Sequence, residues 1–285
     1  MRSLRVLPAV AAAAALVLAG CSGSGSDSAG SGDSAASGSG QSGATVTLTV
    51  GASPSPHAKI LQYIEDNLAA KAGLNLKIVE YTDYVQPNQA LESGDLDANY
   101  FQTVPYLESQ ESDFGYKFDH GTGIHLEPLG VFSSKITDLK DFPEGGTIGI
   151  ISDSANQERA LRLLAANKLV TLPTSGDINV NTVTTLKGAK LQEVDGPQLV
   201  RSLQDVDIAV INGNYAMEGD LSLAKDALAT ESPTDNPNVN ILVWNSTASG
   251  DKLAAIKKLD DLLHSDDVRQ YIESTWSDGS VIPAF

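Results

Sequence analysis

Cysteine occurs once in 285 residues, tryptophan twice, and aromatic side chains make up only 6% of the chain. A single cysteine cannot close an internal disulfide, so the fold must be held by burial and hydrogen bonding. Cationic side chains are also scarce. Nineteen Lys and Arg stand against 36 Asp and Glu, a formal net charge of −17. That balance argues against nucleic acid and against an anionic lipid face as partners. There is no nucleophile elbow, no Walker loop, no HExxH and no CxxC, so the common signatures of hydrolases, nucleotide-binding enzymes, zinc peptidases and dithiol enzymes are missing. No heptad and no internal repeat is present.

What is there begins with a leader. Met1-Arg2-Ser3-Leu4-Arg5 is basic, Leu7 through Leu18 is apolar, and Leu18-Ala19-Gly20 precedes the lone Cys21. Charge, apolar length and small residues before a cut mark a secretory signal over residues 1–20. The apolar run is too short for a spanning helix. Cys21 directly after Leu-Ala-Gly resembles a bacterial lipobox, in which the thiol carries diacylglycerol and becomes the new N-terminus. That predicts a lipid anchor at the cell membrane, on the extracytoplasmic face. Residues 22–45 are almost entirely Gly, Ser, Ala and Asp, so 21–45 reads as an acylated cysteine followed by a flexible tether.

The folded part starts at Val46. Val46–Val50 alternates as a strand, Gly51–His57 is a turn-rich loop, His57–Ala72 carries a helical stripe, and Leu76–Glu80 is a second strand. Strand, loop, helix, strand is a βαβ unit and predicts a parallel sheet. A short helix over Pro87–Leu91, a strand over Leu96–Phe101 and a helix from Val104 to Gln110 follow. Residues 117–130 read as irregular. The unit then starts again about a hundred residues on: a strand at Gly146–Ile151, a polar turn, and a helix from Gln157 to Lys168. Further strands are expected at Leu191–Val194, Ile208–Ile211 and Val239–Val243, with a helix over Pro197–Leu203 and terminal helices over Leu253–Leu263 and Val268–Trp276. Length and the repeated unit predict two α/β lobes, in which ligands bind at the carboxyl ends of the strands.

Residues 81–107 gather Tyr81, Tyr84, Tyr100, Phe101 and Tyr106, out of eight tyrosines and six phenylalanines in the chain. Among them lie the amides Gln86, Asn88, Asn99 and Gln102. Amphipathic aromatics offer rigid contact area with polar tips, and amides offer directed hydrogen bonds. The stretch is either one wall of a small-molecule pocket or the packing of a strand and a helix. Arg159, in the first turns of its helix beside Asn156, has the fork geometry to grip a carboxylate, helped by helix-start N–H groups. A surface ion pair is its other reading. Asn212 and Asn240 stand at or in short apolar strands, where an amide needs a partner: a ligand or a backbone turn. Of the four histidines, His120 and His125 with Glu127 match no common zinc spacing, and all four read as polar loop residues. No metal site is expected.

The segments TDYVQPN (82–88), DANYFQTVPYL (97–107), NQERAL (156–161), GPQLVRSL (196–203) and DIAVINGNYA (207–216) resemble the methionine-binding lipoproteins of the NlpA family. The resemblance spans nearly all of 46–285, and the lipobox and tether fit it. It implies a type II-like, two-lobed periplasmic-binding-protein fold with the cleft between lobes, residues 46–127 and 240–285 forming one lobe and 128–239 the other. It implies a binding protein, not an enzyme, with no cofactor, delivering an amino acid, methionine foremost, to an ABC permease and ATPase complex. Tyr84, Phe101 and Tyr106 would pack around the ligand side chain, Arg159 would hold the α-carboxylate, and Asn212 and Asn240 the ligand's backbone polar groups. One position departs. The family has Phe-Gln-His where this chain has Phe101-Gln102-Thr103, so Thr103 removes a pocket histidine and leaves space. A different apolar amino acid, a methionine derivative or a short peptide fits that change. A metal-binding or hydrolytic surface lipoprotein, or a sensor or adhesin without an importer, stand as the other readings.

Overall fold

The computed structural model describes residues 45–285. The leader, Cys21 and residues 22–44 of the tether lie outside the described residues.

The fold grows from β1 (Val46–Ala52). Leu48, Val50 and Ala52 alternate with Thr47, Thr49 and Gly51 and are fully buried. From there a helical stretch ends at Ala72 with Gly73 in the left-handed region (φ 71°), where glycine has no Cβ penalty. The chain returns as β2 (Leu74–Glu80), parallel to β1. The helix Gln86–Ser93 then leads to β3 (Ala98–Thr103), parallel to β1 on its other side. After the helix Val104–Phe114 come the short β4 (Phe118–His120) and β5 (His125–Leu126).

Glu127, Pro128 and Leu129 carry the chain to a second sheet. Its strands are β6 (Gly130–Phe132) and β7 (Thr147–Ile151), then, past a separate two-residue ribbon of β8 (Val170–Thr171) and β9 (Thr184–Thr185), β10 (Lys190–Val194), β11 (Ile208–Ile211) and β12 (Ala229–Thr230). Residues 231–238 cross back to β13 (Val239–Asn245), and β14 (Ile282–Pro283) closes the first sheet. The first sheet runs β14-β5-β13-β3-β1-β2, with β4 also on β13; the second runs β10-β7-β11-β6-β12.

The two orders share one logic. In each, the first parallel strand, β1 or β7, has its successors on opposite sides, and an antiparallel strand pairs with the third. Connections that leave a strand in opposite directions open a crevice beyond its carboxyl end. Each sheet is covered by its own apolar groups: Leu48, Ile60, Ile64 and Leu259 in the first, Ile148, Ile150, Leu161 and Val210 in the second. This is the two-lobed α/β architecture expected.

Two local expectations fail. Residues 117–130 are not wholly irregular, because β13 is long enough to pair β4 through Val243–Asn245 and β5 through Val239–Asn240. Strands of two or three residues carry no period of their own to read. The helix expected from His57 begins its regular turns at Lys59. Pro54, Pro56 and the extended Ser55 (φ −143°, ψ 134°) hold residues 54–58 in a separate turn.

Leu161 lies on the helix Ser154–Ala166 and is fully buried in the second lobe. Leu161→Ala is expected to lower unfolding free energy in urea by about 2–5 kcal/mol, whereas Val85→Ala, at an exposed position, is expected to change it by less than about 0.5 kcal/mol.

Candidate functional site

The carboxyl ends of the parallel strands converge on one cavity. His57 follows β1, Tyr84 follows β2, Thr103 and Tyr106 end β3 and begin its helix, Asn156 and Arg159 follow β7, and Asn212 to Asn214 follow β11. Glu127 and Asn240 enter from the crossing segment and the return strand. All seven residues singled out as a ligand set, Tyr84, Phe101, Thr103, Tyr106, Arg159, Asn212 and Asn240, line this space.

The aromatic wall depends on a bulge. β13 pairs Ile241 with Gln102 and Leu242 with Tyr100, so Phe101 is the extra residue of β3. An extra residue bends a strand and re-aims its side chain; here Phe101 and its neighbours Gln102 and Thr103 all reach the cavity. Tyr84 packs against Phe101 and Tyr106 at centroid distances of 6.0 and 5.7 Å and stacks on Tyr215 at 4.8 Å. Its hydroxyl donates to Asn214 Oδ1 at 2.5 Å, and its carbonyl accepts from Tyr106 Oη at 2.9 Å. Tyr215 and Asn214 belong to the helix Gly213–Glu218 of the second lobe, so Tyr84 is also a contact between lobes. The aromatic stretch therefore splits. Tyr84, Phe101 and Tyr106 face the cavity, while Tyr100 is fully buried in the first core. The amides divide too: Asn88, Asn99 and Gln102 form a buried network of bonds at 2.8–3.0 Å behind the wall, and Gln86 is bonded at the surface to Asp83.

Arg159 is only 8% exposed. Its Nε and Nη2 donate to the Glu231 carboxylate at 3.0 and 2.6 Å, and Nη2 also donates to the Glu127 carbonyl at 2.8 Å. It is not the surface ion pair that a helical arginine usually makes. Helix-start N–H groups do not assist it as expected: the Asp153 carboxylate caps the helix and takes Asn156 N at 2.9 Å. The Asn partners are side chains instead of turns. Asn212 Nδ2 donates to Asn156 Oδ1 at 2.8 Å, and Asn240 Oδ1 lies 2.9 Å from His57 Nε2. Among the described residues, the Thr103 side chain has no hydrogen-bond partner.

Sequence reasoning missed His57 and Glu127. His57 and His125 are buried, contrary to the reading of polar loop residues. His125 Nε2 lies 2.8 Å and His57 Nε2 3.3 Å from Glu127 Oε1, and Tyr100 Oη lies 2.5 Å from His125 Nδ1. With the carboxylate and Asn240 Oδ1 as acceptors, both rings carry their proton on Nε2, and Tyr100 donates to His125 Nδ1. The grouping imagined from spacing, with His120, does not assemble. His120 is exposed and bonds Gly121 O, and its place is taken by His57. His57, His125 and Glu127 offer ligand atoms within 4.8 Å of one another. His125 Nε2 is bonded to the carboxylate and His57 Nε2 to Asn240 Oδ1, so a metal there would have to displace both bonds. His57 also makes a poor general base, since burial lowers its pKa to about 4.

Residues 48–285 match the family described as NlpA lipoprotein. The chain belongs to the NlpA lipoprotein family. It is 37% identical over 240 residues, 80% of this chain and 85% of the relative, to the methionine-binding lipoprotein MetQ of Bacillus subtilis. Among solved structures, a lipoprotein from Actinomyces odontolyticus superposes with a TM-score of 0.82 at 67% identity, covering 85% of this chain and all of that one. A nutrient-binding protein from Burkholderia cenocepacia bound to methionine gives 0.77 at 38%, covering 84% and 100%. An ABC transporter periplasmic substrate-binding protein from Coxiella burnetii gives 0.78 at 35%, covering 83% and 100%. The fold of this NlpA chain is thus that of the periplasmic substrate-binding proteins. The Bacillus, Burkholderia and Coxiella relatives are described as binding proteins, and among the described residues no helix is long and apolar enough to cross a membrane.

Burial sets the electrostatics of the cavity. It drives the His57 pKa down to about 4 and that of His125 to about 3, and it raises the Glu127 carboxyl, against the pull of His57 and Arg159. Both rings are therefore neutral at pH 7. A histidine depressed in the fold has the ordinary value of 6.5 when unfolded, so its contribution is fully present above pH 6.5 and is lost as pH falls toward 4. The loss is at most about 1.4 kcal/mol per pH unit per histidine. Raised carboxyls such as Glu127 act in the opposite sense, so the readout is a difference. His125→Gln is expected to lose less stability between pH 6.5 and 4 than the parent in urea titrations, and equal slopes would contradict the burial argument.

Proposed function

We propose that the protein is a lipid-anchored receptor that closes its two lobes on a zwitterionic amino acid, methionine foremost, and delivers it to an ABC permease and its ATPase. The observation that carries this reading is the shape of the cavity's chemistry. One face is apolar and aromatic, the opposite face holds a buried guanidinium and a set of directed amides, and the two sit at the mouth between lobes. Tyr84, Phe101 and Tyr106 form the side-chain wall, each well-buried apolar ligand group contributing about 1.5–3 kcal/mol. Arg159 takes the α-carboxylate through the part of its fork not used by Glu231. Asn240, whose Oδ1 is spent on His57, offers its Nδ2, and Asn212, whose Nδ2 is spent on Asn156, offers its Oδ1. The methionine-bound relative and the transporter-associated relative support the ligand and the partner.

The division into lobes follows the crossings, with residues 46–127 and 240–285 on one side and 128–239 on the other. Relatives described as binding proteins of transporters support reading the chain as a binding protein without catalysis. Anchoring through Cys21 on the extracytoplasmic face fits the lipoprotein family, and the tether gives the lobes reach to a membrane partner.

One observation favours a second ligand class. Thr103 lines the cavity with an unpaired hydroxyl where the family resemblance puts a histidine, so a larger apolar side chain or a methionine derivative has room there.

Mass spectrometry of small molecules released on denaturing freshly purified protein is expected to show methionine or a close apolar analogue. In calorimetry, Arg159→Ala is expected to weaken binding of that ligand by at least about thirtyfold; unchanged affinity would remove Arg159 from the site. Thr103→His is expected to weaken ligands larger than methionine more than methionine itself.

A further inference from the structure

Phe101 owes its place in the cavity to a register that apolar packing alone would not choose. On β13, Ile241 and Val243 are two residues apart and lie in one apolar cluster with Leu91 and Leu107. Their partners on β3 are Gln102 and Asn99, which are three apart. Regular pairing from Asn99 onward would set Phe101 opposite Ile241 and Gln102 one place further on, opposite Asn240. Phe101 would then join the apolar cluster, and Gln102 would turn to the other face of the sheet. That cluster would take a phenylalanine more readily than an amide, so side-chain burial on this face favours the strand without its bulge.

What opposes that choice is a closed set of amide bonds. Asn88 Nδ2 donates to Gln102 Oε1 at 3.0 Å, and Asn99 Nδ2 donates to Asn88 Oδ1 at 2.9 Å. Gln102 Nε2 donates to Asn88 Oδ1 at 2.8 Å and to Asn99 Oδ1 at 2.9 Å. All three residues are buried. In a regular strand, residues 99 and 102 face opposite ways. The Gln102–Asn99 bond therefore exists only with the extra residue between them. A slip of register would leave buried amides short of partners, a cost that apolar side chains of the same size would not meet. Buried polar groups are best attested in this use, fixing register. Asn88 brings in a second element. Its helix, Gln86–Ser93, starts two residues after Tyr84, and Asn99 Nδ2 also reaches Pro87 O in the first turn at 3.3 Å. The same bonds thus hold the segment that carries Tyr84 against the strand that carries Phe101.

We propose that Asn88, Asn99 and Gln102 form a register lock that holds the bulge at Phe101 and thereby sets which ligand side chains the cavity accepts. This inference rests on the amino-acid reading above and deepens it, placing a cause of selectivity behind the aromatic wall. The three are positioning residues. Gln102 reaches the cavity, whereas Asn88 and Asn99 lie behind its lining. Breaking the lock moves Phe101 and Tyr84, which meet the ligand side chain, and leaves Arg159 and Asn212, on the second lobe, where they are. Selectivity among side chains is lost while the hold on the charged end stays.

The test compares two probes, L-methionine and L-2-aminobutyrate, which share the charged end and differ in side-chain length. Calorimetry is run on the parent, Gln102→Met, Asn99→Ala and the double variant. The parent is expected to prefer methionine by about tenfold or more. Each single variant is expected to bring that preference to within about threefold by weakening methionine, and the double variant to go no further, because the lock opens once. Equal weakening of both probes in the single variants is a general structural loss and overturns the inference. So does a changed preference in Gln102→Met alone, which makes Gln102 a direct ligand contact, and so do additive losses in the double variant. A parent that binds the two probes alike overturns the inference and leaves the amino-acid reading intact. Thermal melts establish that each variant is folded; if Asn99→Ala does not fold, Asn88→Ala, which opens the lock from the helix side, takes its place. Crystal structures of the single variants read the register without any ligand. Phe101 opposite Ile241 supports the lock, and a retained bulge overturns it. A parent that binds neither probe overturns the amino-acid reading itself, and the crystal structures then decide the lock alone.

Discussion

Arg159 reaches from the helix after β7 to the carbonyl of Glu127 and the carboxylate of Glu231. These are residues at the two places where the chain passes between the sheets. A guanidinium with five donors in a rigid fork can hold both crossings at once, and a buried one must do so or remain unpaid in hydrogen bonds. The rest of the cavity depends on that clamp. It fixes where Glu127 stands, Glu127 lies against His57 and His125, and His57 bonds Asn240 of the same lobe. A binding cleft between lobes needs both mobility and register. Placing the cation on the crossings ties the two sheets in register, while elsewhere at the cavity Tyr84 meets Asn214 and Tyr215.

The second constraint is topological. β1 and β7 each send their connections to opposite sides, and the crevices so formed face the same cavity. This accounts for the dispersion of the site residues from 57 to 240 along the chain, and for the polar strand ends that otherwise look like ordinary loops. The bulge at Phe101 lets three consecutive residues of one strand line the cavity, with the Gln102 amide held in the network behind the aromatic wall.

Much of this was legible in the residues. The repeated strand–loop–helix unit carried the two lobes, and the aromatic stretch with Arg159, Asn212 and Asn240 led to a single cavity. What was hidden was hidden for physical reasons. β4 and β5 are too short to have a period, and they exist only because β13 supplies their partner. Arg159 could be marked as a carboxylate group, but its pairing with Glu231, 72 residues away, has no local trace. His57 sits in a proline-rich turn that reads as a surface loop. A signal for His125 and Glu127 did exist: Ile124-His125-Leu126-Glu127-Pro128-Leu129 alternates apolar and polar residues, and two polar side chains two apart in an extended segment share a face. Read that way, they point to one buried polar face and not to two loop residues.

The central claim is that one cavity between the lobes binds a zwitterionic amino acid by its charges and encloses its side chain in aromatics. A crystal structure of the protein with methionine tests it most directly. The account predicts the ligand carboxylate within hydrogen-bonding distance of Arg159, its polar backbone groups beside Asn212 and Asn240, and its thioether against Tyr84, Phe101 and Tyr106 with Thr103 beside it. Methionine seated elsewhere, or seated here with its charged end among the aromatics, would contradict it.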